Sequence, residues 1–328
     1  MAYTTIDDPS AFFQCTLYTG DGSTTHAITN GGNSDLQPDM VWIKDRGAAN
    51  WHSITDVVRG HSKAIFPNDT AAEDTSNAYV KAFNSDGFTL GSAGSDVNAN
   101  SNTYVSWQWK EQAGVFDIVS YTGNGSARTI SHNLGAVPTM MIIKKRNTAA
   151  PWSVGHASLG ANQVLELDVT DAVATDNSYW NNTRPTSSVF SVGTDGNQNT
   201  DGHTYVIYLF GNKQGVSKMG SYTGNGNANG EFIYTGFKPR WIMIKGTNIA
   251  RNWGINDTKR SPINQTQDSL YSNVADAETG SGNYIDFLSN GFKLRDTALT
   301  MNGAYNYIYM AFAENPFVTS TGVPATAR

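Results

Sequence analysis

The chain has 328 residues, a formal net charge of −6 and 15% charged residues, below the ~25% usual for a globular domain. Serine, threonine, asparagine and 32 glycines fill the deficit, a polar but uncharged make-up that suits a particle-forming or sugar-facing protein better than a solitary cytosolic enzyme. The acidic balance lacks the basic face that nucleic-acid binding needs, and the single cysteine, Cys15, leaves no internal disulfide and no CxxC metal site.

In chain order, residues 1–14 carry no basic-then-apolar leader, so no secretory signal is read there. No apolar stretch approaches the ~18–20 residues of a membrane-spanning helix. The expectation is a soluble chain made in a cytosol, without membrane insertion.

The loop Tyr-Thr-Gly-Asx-Gly then appears at 18–22 and returns at 121–125 and 222–226, with starts 103 and 101 residues apart. The same landmarks follow each copy. A proline stands six residues before a lysine at Pro38/Lys44, Pro138/Lys144 and Pro239/Lys245, enclosing the apolar runs MVWIK, MIIK and WIMIK. A tryptophan follows at Trp51, Trp152 and Trp253, and a phenylalanine at Phe88, Phe190 and Phe292. Each copy closes on an aromatic strand at 103–110, 204–211 and 306–314. One unit is therefore written three times.

A period near 100 residues exceeds the ~20–50 of a solenoid and matches a small β-sandwich. Alternation of β-branched and aromatic residues dominates, as in FDIVSYTG (116–123), and glycine- and asparagine-rich turns recur every ~8–12 residues. The expected fold is all-β: three tandem homologous β-sandwich domains of jelly-roll or lectin-like type, at 1–114, 115–215 and 216–328. Seams fall near 112–116 and 213–217 with no true linker, so the copies pack closely. Helix is limited to single turns near 70–74 and 274–278. Each repeat proline takes the first position of a strand, where its missing N–H costs no ladder bond. The tail, 315–328, reads equally as a frayed end or as an extended arm docked on a neighbour.

Chemistry is sparse. The six histidines show no zinc spacing, and His52 and His156 read as surface-loop residues near the repeat tryptophans. Asp195-x-Asn197-x-Asn199-x-Asp201 has the rhythm of a calcium loop but lacks its glycine and its closing glutamate, so an Asx-rich turn is the better reading. Glu73 and Glu278 occupy matching places, with Val173 between them in the second copy; solvated turn acids are favoured over a glycosidase pair. No catalytic residue, metal or cofactor is assigned. The residues that could serve a ligand are the repeat tryptophans Trp51, Trp152 and Trp253, which read first as core anchors and second as platforms for a sugar ring. Trp180 has no counterpart in the other copies and is the fourth candidate.

The combination of YTGNG with HNLGAVPTMMIIKKR (132–146), YWNNTRPTSSVFSVG (179–193), GFKPRWIMIKG (236–246) and MAFAENPFVTSTGVP (310–324) resembles a family of tailed-phage virion proteins, abundant in marine phages. The resemblance implies a structural, non-enzymatic component of the virion, assembled in the host cytoplasm, with other virion proteins as partners. A tail fibre or tail tip touching a host glycan or receptor is the leading expectation, and a capsid decoration or head fibre the alternative. A glycan depolymerase is the third class. Threefold oligomers are common among fibres and decorations, so a homotrimer is the analogy.

Overall fold

A computed structural model describes residues 3–76, 78–91 and 94–326. It is all-β, with antiparallel sheets of sandwich type, and its helices among the described residues are single turns at Pro9–Ala11, Gly94–Val97, Asn177–Trp180 and Gly196–Asn199. The turns expected near 70–74 and 274–278 are extended instead: Ala64 pairs with Asp74, and Ser269 with Thr279.

Each repeat builds one main sheet to the same plan. In the first, the strand order is Phe13–Thr19, Thr103–Trp109, Met40–Asp45, Ser53–Asp56. The second runs Phe116–Thr122, Thr204–Phe210, Met140–Lys145, Ser153–His156, then Gln163–Glu166 and Ala174–Thr175. The third runs Ser217–Thr223, Asn306–Pro316, Phe237–Gly246, Gly254–Asp257, Leu270–Tyr271. The opening strand of each repeat thus pairs with its closing strand, which makes each copy a closed unit. Pro38 and Pro138 sit just ahead of their strands. Pro239 instead lies inside Phe237–Gly246, at a register shift that frees the ladder from needing its N–H.

A small outer sheet covers one face of each main sheet. In the first repeat it joins His26–Ile28, Gly87–Leu90 and Val80–Asn84; in the third it joins Phe232–Tyr234, Gly291–Leu294 and Ile285–Leu288. The second repeat keeps only Arg128–Ser131 and Val189–Val192, and the helix carrying Trp180 precedes the latter. Separate apolar clusters fill these three outer layers.

The other face of every main sheet looks inward to a single core shared by all three repeats. At its centre the equivalent residues Trp109, Phe210 and Phe312 touch pairwise, with ring centroids 6.4, 5.7 and 6.1 Å apart. The strands Met40–Asp45 and Met140–Lys145 are therefore buried on both faces. Met140 and Ile142 enter the shared core, Met141 and Ile143 the outer one. That double burial accounts for uninterrupted apolar runs in place of the alternation of a one-sided sheet. The repeats keep private outer cores and pool the inner one.

The YTGxG loops have a structural role. Tyr18, Tyr121 and Tyr222 stack on cross-strand Tyr104, Tyr205 and Tyr307 at 5.1, 5.0 and 5.1 Å. The second glycine of each loop has positive φ, between 66° and 70°. The turn is held by a buried asparagine, since Asn98, Asn199 and Asn302 accept the backbone N–H of Asp21, Asn124 and Asn225.

The chain's ends pack against each other and against the junction of the second and third repeats. Thr4 donates to the Gln214 carbonyl, Tyr3 to that of Gly236, and Asp7 holds Ser320. The tail closes as a small hairpin in which Val318 bridges Pro324. It is folded onto its own chain rather than frayed, and only its last two residues lie outside those described.

Candidate functional site

The seams between repeats gather most of the polar chemistry, and they repeat with a cyclic rule. The indole N–H of Trp152 donates to the carbonyl of Phe66 in the first repeat (2.9 Å), and that of Trp253 to Glu166 in the second (2.9 Å). Completing the cycle, the His52 ring meets the Tyr271 carbonyl of the third repeat at 3.0 Å. Backbone ties obey the same order: Glu73 N–H to Arg146, Val173 to Thr247, Glu278 to Arg46. The three copies form a closed ring.

This corrects the alignment of the repeat tryptophans. The counterpart of Trp152 and Trp253 is His52, not Trp51. All three are buried, at 0, 1 and 0% exposure, so His52 is no surface-loop residue. Its Nδ1 accepts from the Trp42 indole (2.9 Å) and its Nε2 therefore donates to Tyr271, the neutral tautomer. Burial, reinforced by the Lys44 charge, holds its pKa well below the ordinary value. Trp51 lies one position earlier, 39% exposed, with its ring 5.0 Å from Phe66. His156 is also buried, and burial pulls it down to about 4.

Lys44, Lys144 and Lys245 are buried beside these seams. Lys144 donates to the carbonyls of Thr70 and Ala150, Lys245 to Thr170 and Arg251, and Lys44 to Asp45 and Ala48. Burial pushes each down to about 8.

Glu73 and Glu278 are not solvated turn acids. Glu73 receives Arg59 of its own repeat at 3.1 Å and Arg146 of the next at 3.0 Å; Glu278 receives Arg260 at 3.0 Å and Arg46 at 2.7 Å. Arg59 and Arg260 are fully buried and pair in turn with Asp56 and Asp257 at 2.5 Å. Burial works against the Asp257 carboxylate, yet the adjoining Arg260 charge keeps its pKa below the usual value. The first-to-second and third-to-first seams therefore each carry a four-residue ion chain. At the second-to-third seam the corresponding residues are His156, Leu159, Val173 and Thr247, so the ion chain is absent there.

Trp180 sits in the outer layer of the second repeat, 3% exposed, its indole donating to the Gln163 carbonyl at 3.1 Å. It presses on Gly155, where a Cβ would lie 2.9 Å from the ring; the other repeats have Thr55 and Asn256 there. Beside it a cleft of about 220 Å³ is bounded by Pro138, Met141, Arg184 and Pro185. Of the four tryptophans, Trp51 alone offers a broad exposed face, while Trp152 and Trp253 hold the seams.

Asp195 caps the helix Gly196–Asn199, and Asn199 holds the YTGNG turn, so both have internal roles. Among the described residues no cluster of three or more His, Cys, Asp or Glu could hold a metal ion, and no helix is long and apolar enough to cross a membrane. The buried asparagines and the arginine partners of Glu73 and Glu278 escape sequence reading. The 101- and 103-residue spacing of Asn98, Asn199 and Asn302 is the signal that finds the former.

No curated protein matches the chain. A family model described as a domain of unknown function, DUF7483, matches residues 8–316, spanning all three repeats, and the chain belongs to that family.

Proposed function

We propose that the protein is a non-enzymatic structural component of a tailed-phage virion, exposed on the particle at a tail fibre or tail tip, where it contacts the host surface. The sequence motifs quoted above support the virion assignment by resemblance. The observation that carries the contact reading is the ring closure. Closing three equivalent repeats into one ring presents the related YTGxG loops three times over. Weak contacts displayed in multiple copies gain strength by avidity without any single deep pocket.

The two terminal segments favour the tail over a capsid decoration. A cement protein would use free arms to clamp shell subunits, whereas both arms here are folded onto their own chain. The reading also has no use for a catalytic pair, since Glu73 and Glu278 are each neutralised by two arginines.

The experiment is immunogold electron microscopy of particles with antibody to this chain, alongside binding of purified protein to host cells. Label on the tail together with cell binding is the expected result. Label confined to the head, with no cell binding and with shells that burst more easily without the protein, would transfer the assignment to decoration. Release of reducing sugar from host polysaccharide would make it an enzyme.

A further inference from the structure

The three seams are versions of one joint, and each acts as a control for the others. In the first-to-second seam the Arg146 side chain fills the space between Glu73 and the Ser120 hydroxyl, 3.2 Å away. In the third-to-first seam Arg46 donates to both carboxylate oxygens of Glu278. The second-to-third seam keeps the same backbone tie, Val173 N–H to the Thr247 carbonyl at 2.8 Å, but has lost every charged side chain of the chain. Arginine has become Thr247 and glutamate Val173. A cleft of about 560 Å³ lies there, within the ~300–1,000 Å³ typical of ligand sites.

Its polar wall is made by Ser158, Ser221, Thr223, Thr247, Asn248 and Asn306, and no charged side chain lines it. Two of these groups are fixed in orientation: Asn248 accepts the Asn306 backbone N–H at 2.9 Å, and Asn306 accepts the Thr223 hydroxyl at 3.0 Å. Leu159, Val173 and Ile308 add apolar surface. Hydroxyls and amides both donate and accept, which matches a ligand whose own groups do both. Its lining side chains offer an anionic ligand no cation and a cationic one no carboxylate.

We propose that this seam is a binding site for a neutral saccharide, its hydroxyls meeting the Ser/Thr/Asn wall and its C–H face the apolar surface. This rests on the reading of the protein as a host-surface contact and names the site and the chemistry that contact uses.

The test uses the full chain. Glucose, galactose, N-acetylglucosamine and maltose are titrated with NMR shift mapping, with glucuronate and glucosamine as charged comparators. The expected result is saturable shifts at the cleft with the neutral sugars and weaker ones with the charged pair. The double variant Val173→Glu/Thr247→Arg, which rebuilds the ion pair of the other seams, weakens binding at least about tenfold. The variant Ser221→Ala/Thr223→Ala, altering only exposed residues, weakens it severalfold with an unchanged melting temperature. Absence of saturable shifts from every neutral sugar overturns the inference, as does undiminished binding in the rebuilt variant. Host-cell binding separates the two claims. If cells are bound equally by wild type and the rebuilt variant, the host-contact reading stands and the cleft fails. If sugars bind the cleft but cells are not bound, the site stands and the host-contact reading fails.

Discussion

The Arg46 guanidinium donates to both carboxylate oxygens of Glu278, at 2.7 and 3.1 Å, and so fastens the first repeat to the third across 232 positions of chain. Glu278 also neutralises Arg260, which is wholly buried. Taking one partner from such a chain leaves charge stranded in a low-dielectric seam. Glu278→Ala should therefore cost about 3 kcal/mol in denaturant unfolding, and Val173→Ala at the uncharged seam only about 1 kcal/mol. Equal costs at the two positions would mean that the ion chain does not hold the seam.

Trp42 and His52 form a second linked pair. Where the first repeat has tryptophan on the strand and histidine on the loop, the others have Ile142 with Trp152 and Met243 with Trp253. His52→Phe strands the buried Trp42 N–H and the Tyr271 carbonyl, and should cost about 2–3 kcal/mol. The swap Trp42→Ile/His52→Trp recreates the arrangement of the second repeat and should recover most of that loss. A double-mutant cycle reads the coupling, and additivity of the two changes would refute it.

The buried lysines set the pH profile. Their folded pKa of about 8 lies below the ordinary lysine value of 10.5, so between those limits the unfolded chain holds more protons and stability rises with pH. Tyr104 and Tyr307, pushed up to about 12 chiefly by burial, act in the opposite sense once unfolded tyrosine begins to ionise near pH 10. Melting temperatures should therefore climb from pH 7.5 to about 9.5 and fall beyond it. A steady decline from pH 7.5 upward would contradict the burial of these amines.

Glu111, at the first seam, is raised to about 7 by burial and then by Asp39 and Asp117. The stability it contributes is present below the unfolded value of 4.5 and is lost as pH rises through 7. Glu111→Gln keeps an acceptor for the Ile118 N–H and removes the repulsion. After allowance for solvent screening, it should stabilise the protein by about 1–2 kcal/mol at pH 8 and negligibly at pH 5. Equal effects at the two pH values would locate the cause elsewhere.

The triplication was legible because tyrosines, glycines and prolines with fixed conformational duties recur at fixed spacing. The ring was less so, although MVWIK and MIIK, apolar without alternation, already required burial on both faces. Their second partner, a face in another repeat, leaves no local mark. Trp51 misled because it stands one residue from the true position, and in a strand a slip of one reverses the face. Glu73 and Glu278 were matched correctly in sequence, but the arginines that engage them come from a neighbouring repeat as well as their own. A carboxylate's partner 73 or 232 positions away cannot be read from its surroundings. The cleft at the uncharged seam is visible only by comparing three joints in space.

Scanning calorimetry of the intact chain tests the shared core most directly. With Trp109, Phe210 and Phe312 meeting at one centre, no repeat can open without exposing the other two, and a single transition with equal calorimetric and van't Hoff enthalpies is expected. Resolved transitions, or a van't Hoff enthalpy near one third of the calorimetric value, would mean that the repeats fold independently and the ring is not the unit of stability.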